Sequence, residues 1–212
     1  MSSPVIVIGA GGHAKVLVDA LLLAGVQVLG LLDRDPAMAG RDVLGVTVLG
    51  GEDRLLQYAP DQVALVNAVG SVDSMQARKT VYDRLRGQGY GFAPVVHLQA
   101  VVSKFAKVQP GAQILVGAVV GPGAVIGENA IINTKASVDH DCRIGAHTHV
   151  APGATLSGGV MVGESSHVGT GASVIQGIRI GRDCLVAAGA VVVRDVPDGA
   201  KVRGAPAREW GA

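Results

Sequence analysis

One feature restricts the possible folds of this chain more than any other: every sixth residue in its second half is aliphatic. Stepping by six from Val102 gives Val108, Ile114, Val120, Ile126, Ile132, Val138, Ile144, Val150, Leu156, Val162, Val168, Val174, Ile180, Val186 and Val192. No insertion interrupts this series over 90 residues (192 − 102). A second register lies two residues ahead of each aliphatic position and is small: Ala106, Ala112, Ala118, Ala124, Ala130, Ala136, Cys142, Thr148, Ala154. An α-helix has no six-residue period, since 3.6 does not divide six. A strand's period of two divides six but does not single out every sixth residue. Repeats of six are a signature of the parallel β-helix. Each hexad then forms one short side, with its aliphatic residue inward and its small residue at a crowded corner. Gly121, Gly127, Gly145, Gly163, Gly169 and Gly181 directly follow aliphatic positions. They are expected to supply the unusual backbone conformation of the corners.

The composition fits such a core. The 212 residues include 31 glycines and only 3% aromatics, so Val, Ile, Leu and Ala must fill the interior. Eighteen Lys+Arg against 17 Asp+Glu give a net charge of +1, with neither a nucleic-acid footprint nor a polybasic membrane patch. The longest apolar stretch, 16–32, is interrupted by Asp19, Gly25 and Gln27 and is too short to span a bilayer. Two cysteines make no disulfide framework, and no zinc spacing is present. The chain starts on an apolar run without a basic leader. The expectation is a reduced, cytoplasmic protein that binds neither nucleic acid nor membrane.

The front of the chain reads differently. Segment 4–9 is a predicted buried strand, followed by a helix with Val16, Leu17, Ala20 and Leu21 on one face. Strands are expected at 28–32, 46–49 and 63–69, and helices at 52–58 and 74–88. Alternating strands and helices imply a small Rossmann-like parallel α/β sheet over 1–98, ahead of a β-helix with a C-terminal tail over 99–212. The turn Gly9-Ala10-Gly11-Gly12-His13-Ala14 fits the glycine fingerprint of a dinucleotide site, with Asp33 about 20 residues on. Three readings stay open: a dinucleotide, a glycine turn with no ligand, or one nucleotide's phosphate or sugar at the helix start. The last suits a half-size sheet best.

The segment GAGGHAKV, the unbroken hexads and the closing 202–208 segment (VRGAPAR) together resemble one acyltransferase family. It comprises the bacillosamine and perosamine N-acetyltransferases and the sialic acid O-acetyltransferases, with the GDP-perosamine enzymes nearest in pattern. The resemblance implies a left-handed β-helix with three hexads per coil, so that residues 18 apart stack, together with a homotrimer and acetyl-CoA along the groove between subunits. It also implies an N-terminal domain that holds a nucleotide-linked amino-sugar through Gly11, Gly12 and His13, with Asp33 and Asp35 near the base or ribose. Neither a metal nor a covalent intermediate is implied.

In Ser137-Val138-Asp139-His140-Asp141, with His149 nine residues after His140, the resemblance makes His140 the general base. Asp141 orients it, His149 contacts acetyl-CoA, and Asn133 lies near the sugar. Gly158 becomes an oxyanion donor, and Ala188 stands where relatives have a second coenzyme-contacting glycine. Geometry agrees in outline. His140 and Asp141 follow interior Val138 by two and three residues and should face out, and Gly158 is one coil above His140. A neutral imidazole suits removal of an amine proton near pH 7. Cys142 and Cys184 read as packing residues, His149 and His167 as a stacked ladder, and His147 and His97 as surface residues. O-acetylation of a sialic-acid-like hydroxyl and a non-catalytic nucleotide-binding trimer are the alternatives. A dinucleotide oxidoreductase would lack a catalytic domain.

Overall fold

The computed structural model describes residues 3–70 and 75–209. The apolar run at the front becomes β1 (Val5–Ile8), followed by α1 (Gly12–Leu23), β2 (Val28–Leu32), β3 (Asp42–Val43), β4 (Val46–Gly50), β5 (Ala64–Asn67), α2 (Gln76–Gly87) and β6 (Gly91–Phe92). These strands form one sheet in the order β3-β4-β2-β1-β5-β6, parallel except for the β3–β4 hairpin at one edge. Central β1 is buried on both sides, as an all-apolar strand must be. Val5 and Val7 pack with α1, whereas Ile6 and Ile8 pack with Leu65, Tyr82 and Leu85 on the opposite face. The second helix runs within the expected 74–88 window; Ser74 lies outside the described residues.

The hexads form a β-helix with three flat faces. Its parallel rungs match residues 18 apart, as in His149↔His167 and Val150↔Val168 on the first face. Ser137↔Thr155 lies on the second face and Arg143↔Met161 on the third. Pairing extends one hexad ahead of Val102, to Val95–Val96, which bonds to Gln113–Ile114. The aliphatic column is the core: Ile114, Val120, Ile126, Ile132 and Val138 are almost wholly buried, with Ala112, Ala118, Ala124 and Ala130 beside them. Cys142 and Cys184 are buried in the same column of small residues. The last coil is shorter, Val186 pairing with Val202 sixteen residues on.

The corner glycines act differently from the sequence expectation. Positive φ falls three residues after most aliphatic positions, among them at Gly123, Gly153, Gly159, Gly171, Gly177 and Gly189, and at Asn129, Lys135, Asp141, His147, Ser165 and Asp183. The glycines that directly follow the aliphatic residue have no left-handed φ. A Cβ at Gly145 would lie 2.5 Å from the backbone nitrogen of Glu164, and one at Gly127 2.6 Å from that of Ala146. Those glycines are therefore required by the backbone of the coil above.

The two parts share a core. Ala14, Leu17 and Leu21 of α1 pack with Val95, Leu115 and Ile131 of the first face. Two surface expectations are also corrected. His147 is 6% exposed, 5.4 Å edge-on from the Tyr82 ring and bonded through Nδ1 to Asn129, because α2 covers its corner. His97 is likewise 6% exposed, its Nδ1 accepting the Gln99 N–H.

Candidate functional site

His140 sits on the corner between the second and third faces. Its backbone is tied to neighbouring coils: Asp139 N–H donates to Leu156 O, Asp141 N–H to Pro122 O, and Gly159 N–H to His140 O. Asp141 has φ +59°, the left-handed setting that other corners often give to glycine. That turn places its carboxylate behind the preceding residue, Oδ2 lying 2.9 Å from His140 Nδ1. An ionised carboxylate only accepts hydrogen bonds, so the proton sits on Nδ1 and the lone pair on Nε2. The Asp141 hydrogen bond, and then the charge of Asp139, raise the exposed His140 above the ordinary histidine pKa.

Glycines clear the space around this pair. The Nε2 edge of the His140 ring lies against Gly158, where a Cβ would come within 2.5 Å of Cε1. One coil below, a Cβ on Gly123 would overlap the Asp141 carboxylate. At Gly121 it would meet the His140 backbone nitrogen at 2.7 Å. Sequence reasoning found Gly158 by adding 18, and subtracting 18 from 141 would have found Gly123. Among the described residues, the Gly158 N–H donates to nothing.

A second group stands on another edge of the β-helix. Asn133 follows the first face, its Nδ2 donating to His149 Nε2 at 2.9 Å. The His149 ring stacks edge-on against His167 at 4.8 Å, the ladder expected from their spacing. Burial lowers the pKa of His167. Ala188 lies exposed on the same edge, higher along the β-helix. Within one chain the structure groups Asn133 with His149, and His140 and Asp141 with Gly158. The second face separates these groups. Its outward residues Val101, Val119, Ser137, Thr155, Ser173 and Val191 carry no charge.

The glycine turn opens a third region, a cleft of about 380 Å³ at the C-terminal ends of β1, β2 and β5. Ligands of open α/β sheets bind at such strand ends. Gly9 has φ +104° and packs on the Ala68 backbone, so the chain itself requires it. A Cβ on Gly11 or Gly12 would touch nothing, leaving the uncapped start of α1 open to a ligand's phosphate. Asp33 lines the cleft and ties two loops together, its oxygens accepting the Ala10 and Asp35 N–H groups at 2.7 and 2.9 Å. Asp35 caps the short helix Pro36–Met38 through the Ala37 N–H and does not line the cleft.

His13 turns away from the cleft toward the first face, its Nε2 meeting Gln113 Oε1 at 2.8 Å. Burial, and then the charge of Arg78, lower its pKa to about 4, so it is neutral near pH 7. Sequence reasoning missed Gln113 and Arg78, since neither stands in a motif.

Residues 4–85 match the family model of the PglD N-terminal domain, and residues 123–158 that of the bacterial transferase hexapeptide (six repeats). No curated protein matches the chain. Solved structures do. PerB from Caulobacter crescentus, in complex with CoA and GDP-perosamine, is 40% identical, with a TM-score of 0.91 over 99% of this chain and 98% of that one. The acetyltransferase domain of PglB from Neisseria gonorrhoeae, in complex with acetyl coenzyme A, is 35% identical, with a TM-score of 0.91 over 99% and 100% of the two chains. WeeI from Acinetobacter baumannii shares the fold at 24% identity, with a TM-score of 0.81.

Proposed function

The chain belongs to the hexapeptide-repeat sugar N-acetyltransferases that carry a PglD-type N-terminal domain, and on that premise we propose that His140 is the base with which it acetylates the 4-amino group of a nucleotide-linked amino-sugar. Acetyl-CoA is the cosubstrate, and no metal takes part in the chemistry. GDP-perosamine is the first candidate acceptor, by likeness to PerB, and a UDP-linked sugar the next. The observation that carries this reading is the His140 ring seated against Gly158, its Nδ1 held by Asp141 and its Nε2, the ring atom nearest Gly158, with no hydrogen-bond partner among the described residues.

The amine nitrogen attacks the thioester carbonyl while Nε2 accepts the proton it must lose. Asp141 keeps the Nδ1 proton in place and stabilises the imidazolium. The Gly158 N–H receives the tetrahedral oxyanion, in the manner of an oxyanion hole. When the adduct collapses, the C–S bond breaks, the amide remains, and the imidazolium proton passes to the departing thiolate.

The edge bearing His140 and the edge bearing Asn133, His149 and Ala188 meet only if a second copy packs its uncharged second face alongside the first. Repeated head to tail and closed by rotation, that contact forms a ring, of three copies in the homotrimer that the family resemblance implies. The site then lies between subunits, with His149 and Ala188 of one copy bordering the coenzyme beside Gly158 of the next. The cleft at Gly11, Gly12 and Asp33 holds the nucleotide, and Asn133 borders the sugar. Two free, buried cysteines fit a reducing cytoplasm. The product suits assembly of a surface polysaccharide such as an O-antigen.

Incubation with acetyl-CoA and a panel of GDP-, UDP- and dTDP-linked 4-amino-sugars, with thiol release followed, tests the reading. Turnover is expected with an amino-sugar. Turnover confined to a sialic-acid-like hydroxyl would replace it with O-acetylation.

A further inference from the structure

Helix α2 has two working faces. Ala77, Thr80 and Val81 line the cleft at the strand ends, while Arg78, Lys79, Tyr82, Asp83 and Arg86 meet one corner of the β-helix. Helix turns of about 5.4 Å nearly match coils about 4.8 Å apart, so successive turns of α2 can meet successive coils. Arg86 pairs with Glu128 at 4.0 Å, Asp83 with His147 at 3.7 Å, and Lys79 with Glu164 at 4.0 Å. These pairs are long and partly exposed, a class that contributes little. Arg78 is different, being fully buried within the same contact.

Among the described residues its guanidinium bonds only to backbone carbonyls. Nη1 donates to Asn67 O at 2.6 Å and Val69 O at 3.2 Å, and Nε donates to Asn129 O at 3.2 Å. Nη2 is buried without a partner among the described residues, and burial lowers the pKa to about 9. Among the described residues no carboxylate pairs with this buried cation, a costly way to join two elements, and an apolar side chain of similar size would fill the space more cheaply. What the guanidinium adds is direction. Asn67 ends β5, Val69 two residues on lines the cleft, and Asn129 lies on the β-helix corner that takes a left-handed φ of +54°. The Asn67 amide repeats the link, donating to Arg78 O at 3.0 Å and Asn129 Oδ1 at 3.2 Å. Gln113 Nε2 donates to Asn67 O at 2.7 Å and holds His13 with its other end.

We propose that Arg78 is a positioning residue for the nucleotide-sugar, clamping the loop behind the cleft to the Asn129 corner so that a bound nucleotide diphosphate presents its sugar to the β-helix at a set angle. This rests on the cleft being the nucleotide-sugar site. Arg78 touches no substrate and acts through the Asn67 and Val69 carbonyls.

The test is steady-state kinetics on the intact enzyme with GDP-perosamine and acetyl-CoA. Arg78→Met is expected to raise the KM for GDP-perosamine about tenfold or more, with the KM for acetyl-CoA changed by less than about twofold. Arg78→Lys, which keeps the charge but reaches fewer carbonyls, should restore part of the loss. It also carries the test if the Met variant does not fold. Lys79→Ala and Arg86→Ala should leave both KM values within about twofold. A folded Arg78→Met or Arg78→Lys enzyme with an unchanged KM for GDP-perosamine overturns the proposal, as does an equal rise for both substrates. Asp33→Ala separates the two levels. If it raises the KM for GDP-perosamine while Arg78→Met does not, only the role of Arg78 fails. If Asp33→Ala leaves that KM unchanged, the cleft assignment fails and this proposal with it.

Discussion

Replacing Gly158 with alanine tests whether the seat beneath the His140 ring matters to catalysis. Gly158 has no left-handed φ, so its backbone accepts alanine, and the loss of glycine's freedom in the unfolded chain should stabilise the protein by about 0.4–1 kcal/mol. The added methyl would stand 2.5 Å from His140 Cε1 and 3.0 Å from Cδ2, closer than carbon atoms can approach. Because His140 is exposed, its ring can swing into solvent, which breaks the 2.9 Å bond to Asp141 without disturbing the core. The enzyme would then lose its positioned base, worth about two to four orders of magnitude in kcat. Thiol release measured on a variant whose melting temperature is unchanged or raised gives the result. His140→Ala should cost a similar amount, and adding Gly158→Ala to it should cost little more, since both remove one function. A folded Gly158→Ala enzyme with wild-type kcat would refute the reasoning. A double variant far slower than His140→Ala would show that Gly158 acts on the thioester independently of the ring.

Asp141→Asn removes the largest influence raising the His140 pKa, so the rising limb of kcat/KM against pH should move to lower pH while its plateau drops; a limb that stays in place would refute the pairing. His13 is held neutral with a pKa of about 4 against an ordinary 6.5, so the unfolded chain binds the extra proton, and the stability present above pH 6.5 is lost as pH falls toward 4. That loss is on the order of 3 kcal/mol by linkage, and denaturant melts of His13→Gln should lack it. Gly145→Ala places a Cβ against the Glu164 backbone nitrogen and should destabilise by about 1–3 kcal/mol or more, whereas Gly11→Ala should leave the melting temperature nearly unchanged and weaken nucleotide binding.

The six-residue period was enough to establish the β-helix and its buried aliphatic column. The stacking of His149 on His167 and Gly158 above His140 needed also the three-hexad coil that the resemblance implies, after which residues 18 apart share an address and a strictly periodic backbone obeys that rule without knowledge of distant contacts. Likewise, an apolar strand running into a glycine turn announced the cleft through local pattern alone. Tertiary structure decided what covers the outward positions. His147 and His97 read as surface residues yet are buried, His147 beneath α2, and His13 is bonded to Gln113, 100 residues away. The corner glycines were found in the right places but for the wrong cause, since their lack of a side chain answers to the coil above and not to their own φ. Arg78 carried no signal, because an arginine on a helix reads as a solvated cation until a second element buries it. A repeat specifies the contacts that recur with its period; contacts between unlike elements occur once, and only the docked surfaces determine them.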